Sequence, residues 1–316
     1  MPEAQFYQDG CALDFTPVAA AVGGEVVQLR DGRAGVLKAD LAAGELGAAS
    51  VEGIYTVDKT GSLVIVDGQR VYWDHSANSA HIKTVNDRDF YLGTAYGDAA
   101  SAATTMKVEL NVTPSFLIDS ARDAFVTAVV GAEAATGAPS IAPAGSATAL
   151  RFVASTEAEK LDLLSARGFA VGAKAIAEFG FMIVDDGDDA ALDFNIGVAN
   201  ATHASDADSI TESCFIHMDG NVLNILAESD DGTTEVAATD TLINLVLGTP
   251  VLVVMDFRNL ADIQIYVDGV AALAASTFKL DAATGPLKLL AHLEKSSNDT
   301  TAEYYINHMV AWIAEQ

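Results

Sequence analysis

The stretch that decides the fold is VLVVMDFRNLADIQIYVDG, residues 251–269. Its first part, residues 251–257, is an apolar run of the kind that forms a strand buried on both faces. In residues 263–267 apolar and polar side chains alternate, which predicts a strand with one buried face. Asp268-Gly269 follows directly, and this pair favours a tight hairpin because a type I′ turn requires positive φ. The stretch therefore predicts strands joined by a short turn.

The same patterns recur outside this stretch. Strict alternation of apolar and polar residues marks residues 107–112 and 192–198, and a second apolar run covers residues 179–184. Helix signals are few. Thr156-Glu157-Ala158-Glu159 has capping-box spacing, but Gly168 follows soon after, so a single helical turn and no helix at all both stay open. Many short strands with little helix predict an all-β chain built from barrels or sandwiches.

The length and the charge distribution predict two domains. A chain of 316 residues corresponds to about two domains at ~150 residues each. Residues 1–113 contain 8 basic and 15 acidic residues, whereas residues 114–316 contain 9 basic and 29 acidic residues. We therefore place the boundary after residue 113 and assign most of the acidity to the second domain.

The net charge of −27 excludes several classes of partner. Nucleic-acid binding needs clustered Lys and Arg, and docking on an anionic membrane needs a basic surface, so we expect neither partner. No stretch approaches the ~20 apolar residues of a membrane helix, and the acidic start Met1-Pro2-Glu3 predicts no signal peptide. Cys11 and Cys214 are far apart in sequence, which favours two small buried thiols without a disulfide and folding in a reducing cytoplasm.

Motifs for catalysis are absent from the sequence. There is no Gly-x-Ser-x-Gly elbow, no Walker loop, no dinucleotide-binding glycine motif after a strand and no His-Glu-x-x-His. Asp193 and Asp256 lie on predicted strands, but neither has a second carboxylate at a neighbouring same-face position, as a glycanase strand would. We therefore expect no enzyme activity, while a carboxylate pair assembled from different strands stays open as a hydrolase alternative.

Metal binding has two sets of candidate residues. His75 and His81 could meet across a hairpin and bind a metal, but we favour scattered surface or rim histidines over this interpretation. Three acidic loops offer the oxygen ligands that Ca²⁺ prefers, but none has EF-hand spacing. We expect no cofactor, with Ca²⁺ in one acidic loop of the second domain as the alternative to solvated turn residues. The loops are Asp185-Asp186-Gly187-Asp188-Asp189, Asp206-Ala207-Asp208 and Asp230-Asp231-Gly232.

The first 113 residues contain a series of short motifs in a characteristic order. The series begins with FYQDG at residues 6–10 and LDFT at residues 13–16, and continues with VYWD at residues 71–74 and LGTA at residues 92–95. It closes with the strand at residues 107–112. In this order and spacing the motifs resemble those of the small capsid-decoration (head cement) proteins of tailed phages.

This resemblance implies a fold, a function and a set of binding residues. The fold would be a small β-barrel, β-tulip-like, and the protein would bind the outer capsid surface as a homotrimer, with the major capsid protein as its partner. Residues 1–17 would form an arm along the capsid lattice. Tyr72 and Trp73 point to opposite faces of their strand, so one is expected in the core and the other available to a neighbour, with a structural role for both as the alternative. The implied capsid-binding residues are Phe6, Tyr7, Gln8, Leu13, Phe15, Tyr72 and Trp73.

Residues 114–316 resemble the concanavalin-like and laminin-G-like jelly-roll sandwiches. The resemblance rests on residues 251–257, on the Tyr-Val-Asp-Gly hairpin at residues 266–269 and on the aromatic strand that ends at Trp312. It implies a β-sandwich displayed outward from the capsid and adds host-surface glycans as a second class of partner, because some relatives bind them. No sugar-binding residue is carried over, because no matching set is present.

The sequence therefore favours a virion structural protein, located on the outer capsid surface after synthesis in the host cytoplasm. A glycan-binding module is the alternative function, and a glycan hydrolase is a third.

Overall fold

The computed structural model describes residues 11–131, 139–154, 156–204, 206–296 and 300–314. Its regular structure is β, apart from a 3₁₀ turn at Ala207–Ser209, which confirms the all-β fold class. None of the described residues forms a helix with the length and hydrophobicity needed to cross a bilayer. The chain forms two compact units, Met1–Ser115 and Phe116–Gln316, called unit 1 and unit 2 below.

Unit 1 contains two antiparallel sheets. The first has four strands in the order β1-β4-β3-β2, and the second has five in the order β5-β9-β8-β6-β7. The strands are β1 (Ala12–Phe15), β2 (Val26–Gln28), β3 (Ala34–Leu37), β4 (Gly47–Ser50), β5 (Ile54–Asp58), β6 (Arg70–Asp74), β7 (Ser79–His81), β8 (Phe90–Ala95) and β9 (Thr105–Leu110).

The small barrel expected from the resemblance is open. The outer strands of the five-stranded sheet, β5 and β7, approach each other at an isolated parallel bridge between Lys59 and Ala80. Because β7 is three residues long, it is too short to pair along the whole of β5. Asn111 links the two sheets instead. Its Oδ1 accepts a hydrogen bond from the Ala34 amide at 2.8 Å, and its Nδ2 donates to the carbonyl oxygens of Ala34 and Val51 at 2.9 and 2.7 Å.

Unit 2 is a sandwich of two antiparallel sheets, as the sequence predicts. One sheet has the order β12-β13-β24-β15-β20-β21-β22, with β10 also paired to β24, and the other has the order β11-β14-β23-β16-β17-β18-β19. The strands are β10 (Ile118–Asp119), β11 (Phe125–Val130), β12 (Ser140–Ala144), β13 (Ala147–Phe152), β14 (Glu159–Ser165), β15 (Ala175–Asp185), β16 (Leu192–Ala199), β17 (Ser213–Asp219), β18 (Asn224–Asp230), β19 (Glu235–Asn244), β20 (Val251–Asp256), β21 (Gln264–Val267), β22 (Val270–Ala271), β23 (Lys288–Lys295) and β24 (Ala302–Ile313).

The strand patterns of the sequence are reproduced in this sandwich. Every residue of β20 is buried, and the alternation of residues 192–198 places Leu192, Phe194, Ile196 and Val198 in the core. Asp268 and Gly269 have φ values of 49° and 78°, and they form the turn between β21 and β22. Among the described residues, no helical turn follows the capping-box motif, because β14 begins at its last residue, Glu159. Of the two thiols expected to be buried, Cys214 is buried, whereas Cys11 is exposed.

Candidate functional sites

A groove in unit 1 lies between the two outer strands of the four-stranded sheet. Leu13 and Phe15 of β1 line one part of it, and Gln28 of β2 with the following Leu29 lines another. Its volume is about 530 Å³. Leu29 is buried, whereas Leu13 and Phe15 are half-buried and present apolar surface to the groove. The groove can therefore accept apolar side chains from a partner.

Exposed apolar residues lie in the loops beside β1. Val18 is fully exposed, and the side chain of Leu46, just before β4, is 67% exposed. These two loops are joined, because the Gly44 amide donates to the carbonyl oxygen of Pro17 at 2.8 Å. Apolar surface at these positions adds to the surface that the groove offers.

The structure separates the capsid-binding residues implied by the resemblance. Leu13 and Phe15 are brought together in the groove, whereas Tyr72 and Trp73 lie on β6 of the other sheet. Trp73 is 6% exposed and belongs to the core, while Tyr72 is half-buried and packs edge-on against Tyr91 at 5.6 Å between ring centroids. Trp73 is thus the core member of this pair, and contact of Tyr72 with a neighbour stays a prediction. Phe6, Tyr7 and Gln8 lie outside the described residues.

Unit 2 carries a second candidate site on the sheet with the order β11-β14-β23-β16-β17-β18-β19. The site lies on the face of this sheet that points away from the core of the sandwich, and we call it the polar face. Four adjacent strands, β14, β23, β16 and β17, place ionisable and amide side chains side by side there. The strand register aligns them in two rows, in which neighbours lie directly opposite each other. One row is Asp162, His292, Asn195 and His217, and the other is Lys160, Glu294, Asp193 and Asp219.

His292 is completely buried at the centre of the first group on this face. Its Nδ1 lies 2.6 Å from Asp162 Oδ1, and its Nε2 lies 2.8 Å from Glu294 Oε2. Lys160 Nζ completes the group at 2.8 Å from the other Asp162 oxygen. Burial opposes protonation of His292, but hydrogen bonds with Asp162 and Glu294 raise its pKa to about 9. The imidazole is therefore held as a cation between two carboxylates at neutral pH.

His217 is surrounded by four carboxyl groups. Its Nε2 lies 2.9 Å from Asp193 Oδ1 and 3.1 Å from Asp219 Oδ1. Its Nδ1 lies 3.3 Å from Asp208 Oδ1 and 3.5 Å from Glu228 Oε1. Burial alone would lower the pKa of His217, but the adjacent carboxyl groups of Asp193, Asp208 and Glu228 raise it far above the ordinary range.

The carboxyl groups around His217 are also perturbed. Burial raises the pKa of Glu228 to about 7, and the nearby charge of Asp208 adds to this effect while His217 opposes it. Burial likewise raises the pKa of Asp193. The polar face therefore concentrates negative charge in a poorly solvated place, which is the condition for binding a proton or a cation.

The 3₁₀ segment that carries Asp206 and Asp208 is fixed on this face by apolar contacts. Ala207 and Ile210 are buried and pack in one cluster with Phe215 of β17. Asp206 Oδ1 accepts a hydrogen bond from the Asp208 amide at 2.9 Å, which shapes the turn. These contacts position two loop carboxylates over the carboxylates and imidazole of the sheet.

Two groups of these side chains have the spacing of metal ligands. Asp193, Asp208 and His217 each offer an atom within 4.8 Å of the others, and so do Asp193, Asp206 and Glu294. The acidic loop at residues 206–208 thus comes together with sheet residues. By contrast, Asp231 in another predicted loop accepts hydrogen bonds from its own turn, at 2.8 Å from the Thr233 amide.

Sequence reasoning missed most residues of the polar face. Asp162, His217, Glu228, His292 and Glu294 did not enter any motif. A usable signal existed, since Asp193-x-Asn195, His217-x-Asp219 and His292-x-Glu294 each place two polar residues on one face of an otherwise apolar strand. Asp256, the other strand carboxylate that the sequence analysis considered, lies at the end of β20 in the other sheet of unit 2. It pairs with Arg258 at 2.6 Å.

Comparison with solved structures finds several β-sandwich proteins that act on or bind carbohydrates. An endo-acting O-glycanase of the human gut microbiota is 11% identical, with a TM-score of 0.46, and the match covers 64% of this chain and all of that one. The carbohydrate recognition domain of Emp47p is 11% identical, with a TM-score of 0.44 and coverages of 60% and 89%. The carbohydrate-binding module CBM66 of Bacillus subtilis is 9% identical, with a TM-score of 0.35 and coverages of 54% and 91%. Likenesses this distant assign no ligand or activity to this chain.

Comparison with protein families gives a more specific result for unit 1. No curated protein is similar enough to count as a relative of the chain. The model of the phage cement protein family matches residues 7–110, about a third of the chain, and this match lies entirely within unit 1.

Proposed function

We propose that the chain decorates a phage capsid, with unit 1 bound to the outer surface of the shell as a homotrimer and unit 2 carried outward. The observation that supports this most is the coincidence of the phage cement match, residues 7–110, with a separately folded unit, Met1–Ser115. The partners are then the major capsid protein and two further copies of the chain, on a virion assembled in the host cytoplasm.

The groove beside β1 is the proposed contact with the capsid. Leu13 and Phe15 present apolar surface there, and β2 is an outer strand of its sheet, so a capsid segment can bury side chains in the groove and pair along β2. Each large apolar side chain that becomes fully buried contributes ~1.5–3 kcal/mol. Contacts of this size are weak singly, but three of them on one trimer bind together because the later contacts form at high effective concentration.

The action of the protein is mechanical in this account. By binding neighbouring capsid subunits it holds them together, and no bond is made or broken, so we propose that the chain is not an enzyme. The 29 acidic residues of the second domain against 9 basic ones give the outward surface a strong negative charge. Like-charged particles repel each other, which keeps decorated virions dispersed.

Co-sedimentation with capsids of the phage tests the contact surface. We expect Leu13→Asp and Val18→Asp each to weaken binding at least about ten-fold, since a carboxylate would have to be desolvated at the interface. Val85→Asp is the control, because Val85 is an exposed valine of unit 1 that does not line the groove. Val18 is fully exposed, so its substitution spares the fold. Wild-type binding by both the Leu13 and the Val18 variant, or equal loss in the control, would contradict the proposal.

Light scattering on a sizing column tests the oligomeric state. A trimer has three times the 32.8 kDa mass of one chain, about 98 kDa. A small unit with two open sheets gains apolar burial from such an assembly. A single species at the mass of one chain, at the concentration used for capsid binding, would contradict the trimer.

A further inference from the structure

The polar face of unit 2 brings three metal-ligating groups together from three places in the chain. Asp193 comes from β16, His217 from the neighbouring β17, and Asp208 from the 3₁₀ turn packed over them. One ligand atom of each lies within 4.8 Å of the other two. Ligand atoms on one ion with bonds of ~2.2 Å lie at most ~4.4 Å apart, so the group needs only a small contraction to bind one ion.

Buried polar atoms without partners point to the same place. Asn195 is completely buried, and its Nδ2 donates to Asp208 Oδ1 at 2.8 Å and to Glu228 Oε1 at 3.0 Å, which aims the amide group into the cluster. Among the described residues, Asn195 Oδ1 has no hydrogen-bond partner, and His217 Nδ1 faces Asp208 Oδ1 at 3.3 Å without the geometry of a hydrogen bond. A buried polar atom left in this way costs ~1–3 kcal/mol, so two of them at one cluster indicate a ligand there.

The excess of negative charge on the polar face favours the binding of a cation. Seven carboxyl groups lie on it against three basic groups, so the face remains negative even when both imidazoles are protonated. A divalent cation neutralises this excess and can replace the proton on His217. The carboxyl groups are those of Asp162, Asp193, Asp206, Asp208, Asp219, Glu228 and Glu294, and the basic groups are those of Lys160, His217 and His292.

We propose that unit 2 binds one divalent transition-metal cation, of the Mn²⁺ or Zn²⁺ type, through Asp193, Asp208 and His217. An imidazole nitrogen with two carboxylates suits these ions, whereas Ca²⁺ takes six to eight oxygen ligands. One of the three acidic loops considered as an alternative Ca²⁺ site, residues 206–208, thus supplies one ligand, and the sheet supplies the other two. The ion ties the 3₁₀ segment to the sheet and stabilises unit 2.

The neighbouring cavity favours an ion over a sugar as the ligand of this cluster. It has a volume of about 300 Å³ and includes Asp208 and Glu228 in its wall. Its other lining residues come from strands β17, β18 and β19, and none of the lining residues is aromatic. Sugar rings usually stack on an aromatic side chain, and this cavity offers none.

Titration of the metal-stripped full-length chain with Mn²⁺ alone, followed by electron paramagnetic resonance, tests the proposal. We expect one Mn²⁺ bound per chain and a coupling to ¹⁴N in the spin-echo spectrum from the His217 imidazole. Asp208→Asn is expected to weaken binding at least about ten-fold. His217→Gln is expected to remove the nitrogen coupling. Asp188→Asn, the same change at an exposed residue of another acidic loop, is the control and should bind as the wild type does.

The outcomes that overturn the proposal are distinct. If neither Mn²⁺ nor Zn²⁺ binds saturably, the proposed site does not exist. If the ion binds without nitrogen coupling, or if Asp208→Asn leaves binding unaffected, the proposed ligand set is wrong. The ion then belongs to the all-oxygen group of Asp193, Asp206 and Glu294. Should His217→Gln fail to fold, Asp208→Asn and the wild-type spectrum still decide, because the Asp208 side chain is 37% exposed and its change spares the core.

Discussion

The two units accommodate buried charge in different ways. Among the described residues, unit 1 buries two charged side chains, Lys59 and Asp74, and unit 2 buries twelve charged or histidine side chains. Lys59 Nζ donates to two carbonyl oxygens within four residues, and Asp74 accepts from Ser76 and Ala77 next to it. In unit 2, buried Lys295 pairs with Glu159, 136 positions away in the chain and on the neighbouring strand.

The two units therefore depend on different interactions for their stability. Unit 1 satisfies its buried charges within single turns, so its stability depends on apolar packing and on the backbone. Unit 2 satisfies many of its buried charges across strands, so these contacts exist only when the sheet order is complete. Removing one partner of such a contact leaves a desolvated charge without its counter-charge, which lowers the free energy of unfolding. Unit 2 should therefore respond to charge and pH much more strongly than unit 1.

The two tryptophans make each unit separately observable. Trp73 lies in unit 1 and Trp312 in unit 2, and the sequence contains no other tryptophan. Trp73→Phe therefore leaves a fluorescence reporter of unit 2, and Trp312→Phe leaves a reporter of unit 1. The unfolding experiments below use the full chain in these two backgrounds.

The largest expected effect is that of Lys295→Met. Lys295 Nζ lies 3.2 Å from Glu159 Oε2, and both side chains are fully buried. Removing the ammonium leaves Glu159 without this partner, so we expect unit 2 to lose ~3–5 kcal/mol of unfolding free energy in urea. The double variant Lys295→Met with Glu159→Leu should recover much of this loss. Lys59→Met in unit 1 is the matched control and should cost less, because it removes no charge pair. An equal loss in both units would break the comparison.

Asn111 should carry the largest polar contribution to unit 1. Its side chain makes three hydrogen bonds between the two sheets, and its backbone has a φ of 60°, which asparagine tolerates better than alanine. We expect Asn111→Ala to lower the unfolding free energy of unit 1 by ~2–3 kcal/mol. Asn86→Ala, at an exposed position of the same unit, is the control. A loss below about 0.5 kcal/mol would mean that the two sheets hold together without this link.

The pH dependence of stability should differ between the units. Glu228 binds its proton more tightly in the folded state, with a pKa of about 7 against an ordinary value of 4.5, so unit 2 loses stability as pH rises through this interval. His292, with a pKa of about 9 against 6.5, contributes stability that is complete below pH 6.5 and is lost as pH rises through 9.

Denaturation of unit 2 between pH 5 and 9 measures this effect. We expect its unfolding free energy to fall by ~1–3 kcal/mol between pH 5 and 7 and to fall further toward pH 9. Glu228→Gln should flatten the lower part of the curve and leave the upper part in place. The unfolding free energy of unit 1 should instead fall as the pH is lowered. Hydrogen bonds from Ser76 and the neighbouring amides lower the pKa of Asp74, so that unit loses stability only in acid. A flat curve for unit 2 would contradict the account of its polar face.

The smallest expected effect is that of Arg33→Ala. Arg33 pairs with Asp31 at 2.7 Å, but both side chains are more than 40% exposed. Exposed pairs contribute ~0–1 kcal/mol, and this one should be near the lower limit. Thermal unfolding of the variant should match that of the wild type within about 1 °C. A larger shift would mean that unit 1, too, depends on ion pairs.

The sequence predicted local structure better than it predicted the sites. Alternation in residues 192–198 and the Asp268-Gly269 turn depend on neighbouring residues, so both could be predicted correctly. The polar face depends on the strand order β14-β23-β16-β17, which brings Asp162 next to His292, 130 residues later. No local pattern contains that order. That the small barrel stays open also lies outside any local pattern, since the short length of β7 determines where β5 can pair.

The most direct test of the central claim is a three-dimensional reconstruction of phage capsids decorated with the full chain. We expect unit 1 to lie against the shell around three-fold positions, with Leu13 and Phe15 in contact with the major capsid protein and unit 2 farther from the surface. Density for unit 2 against the shell, with the groove of unit 1 facing solvent, would contradict the account.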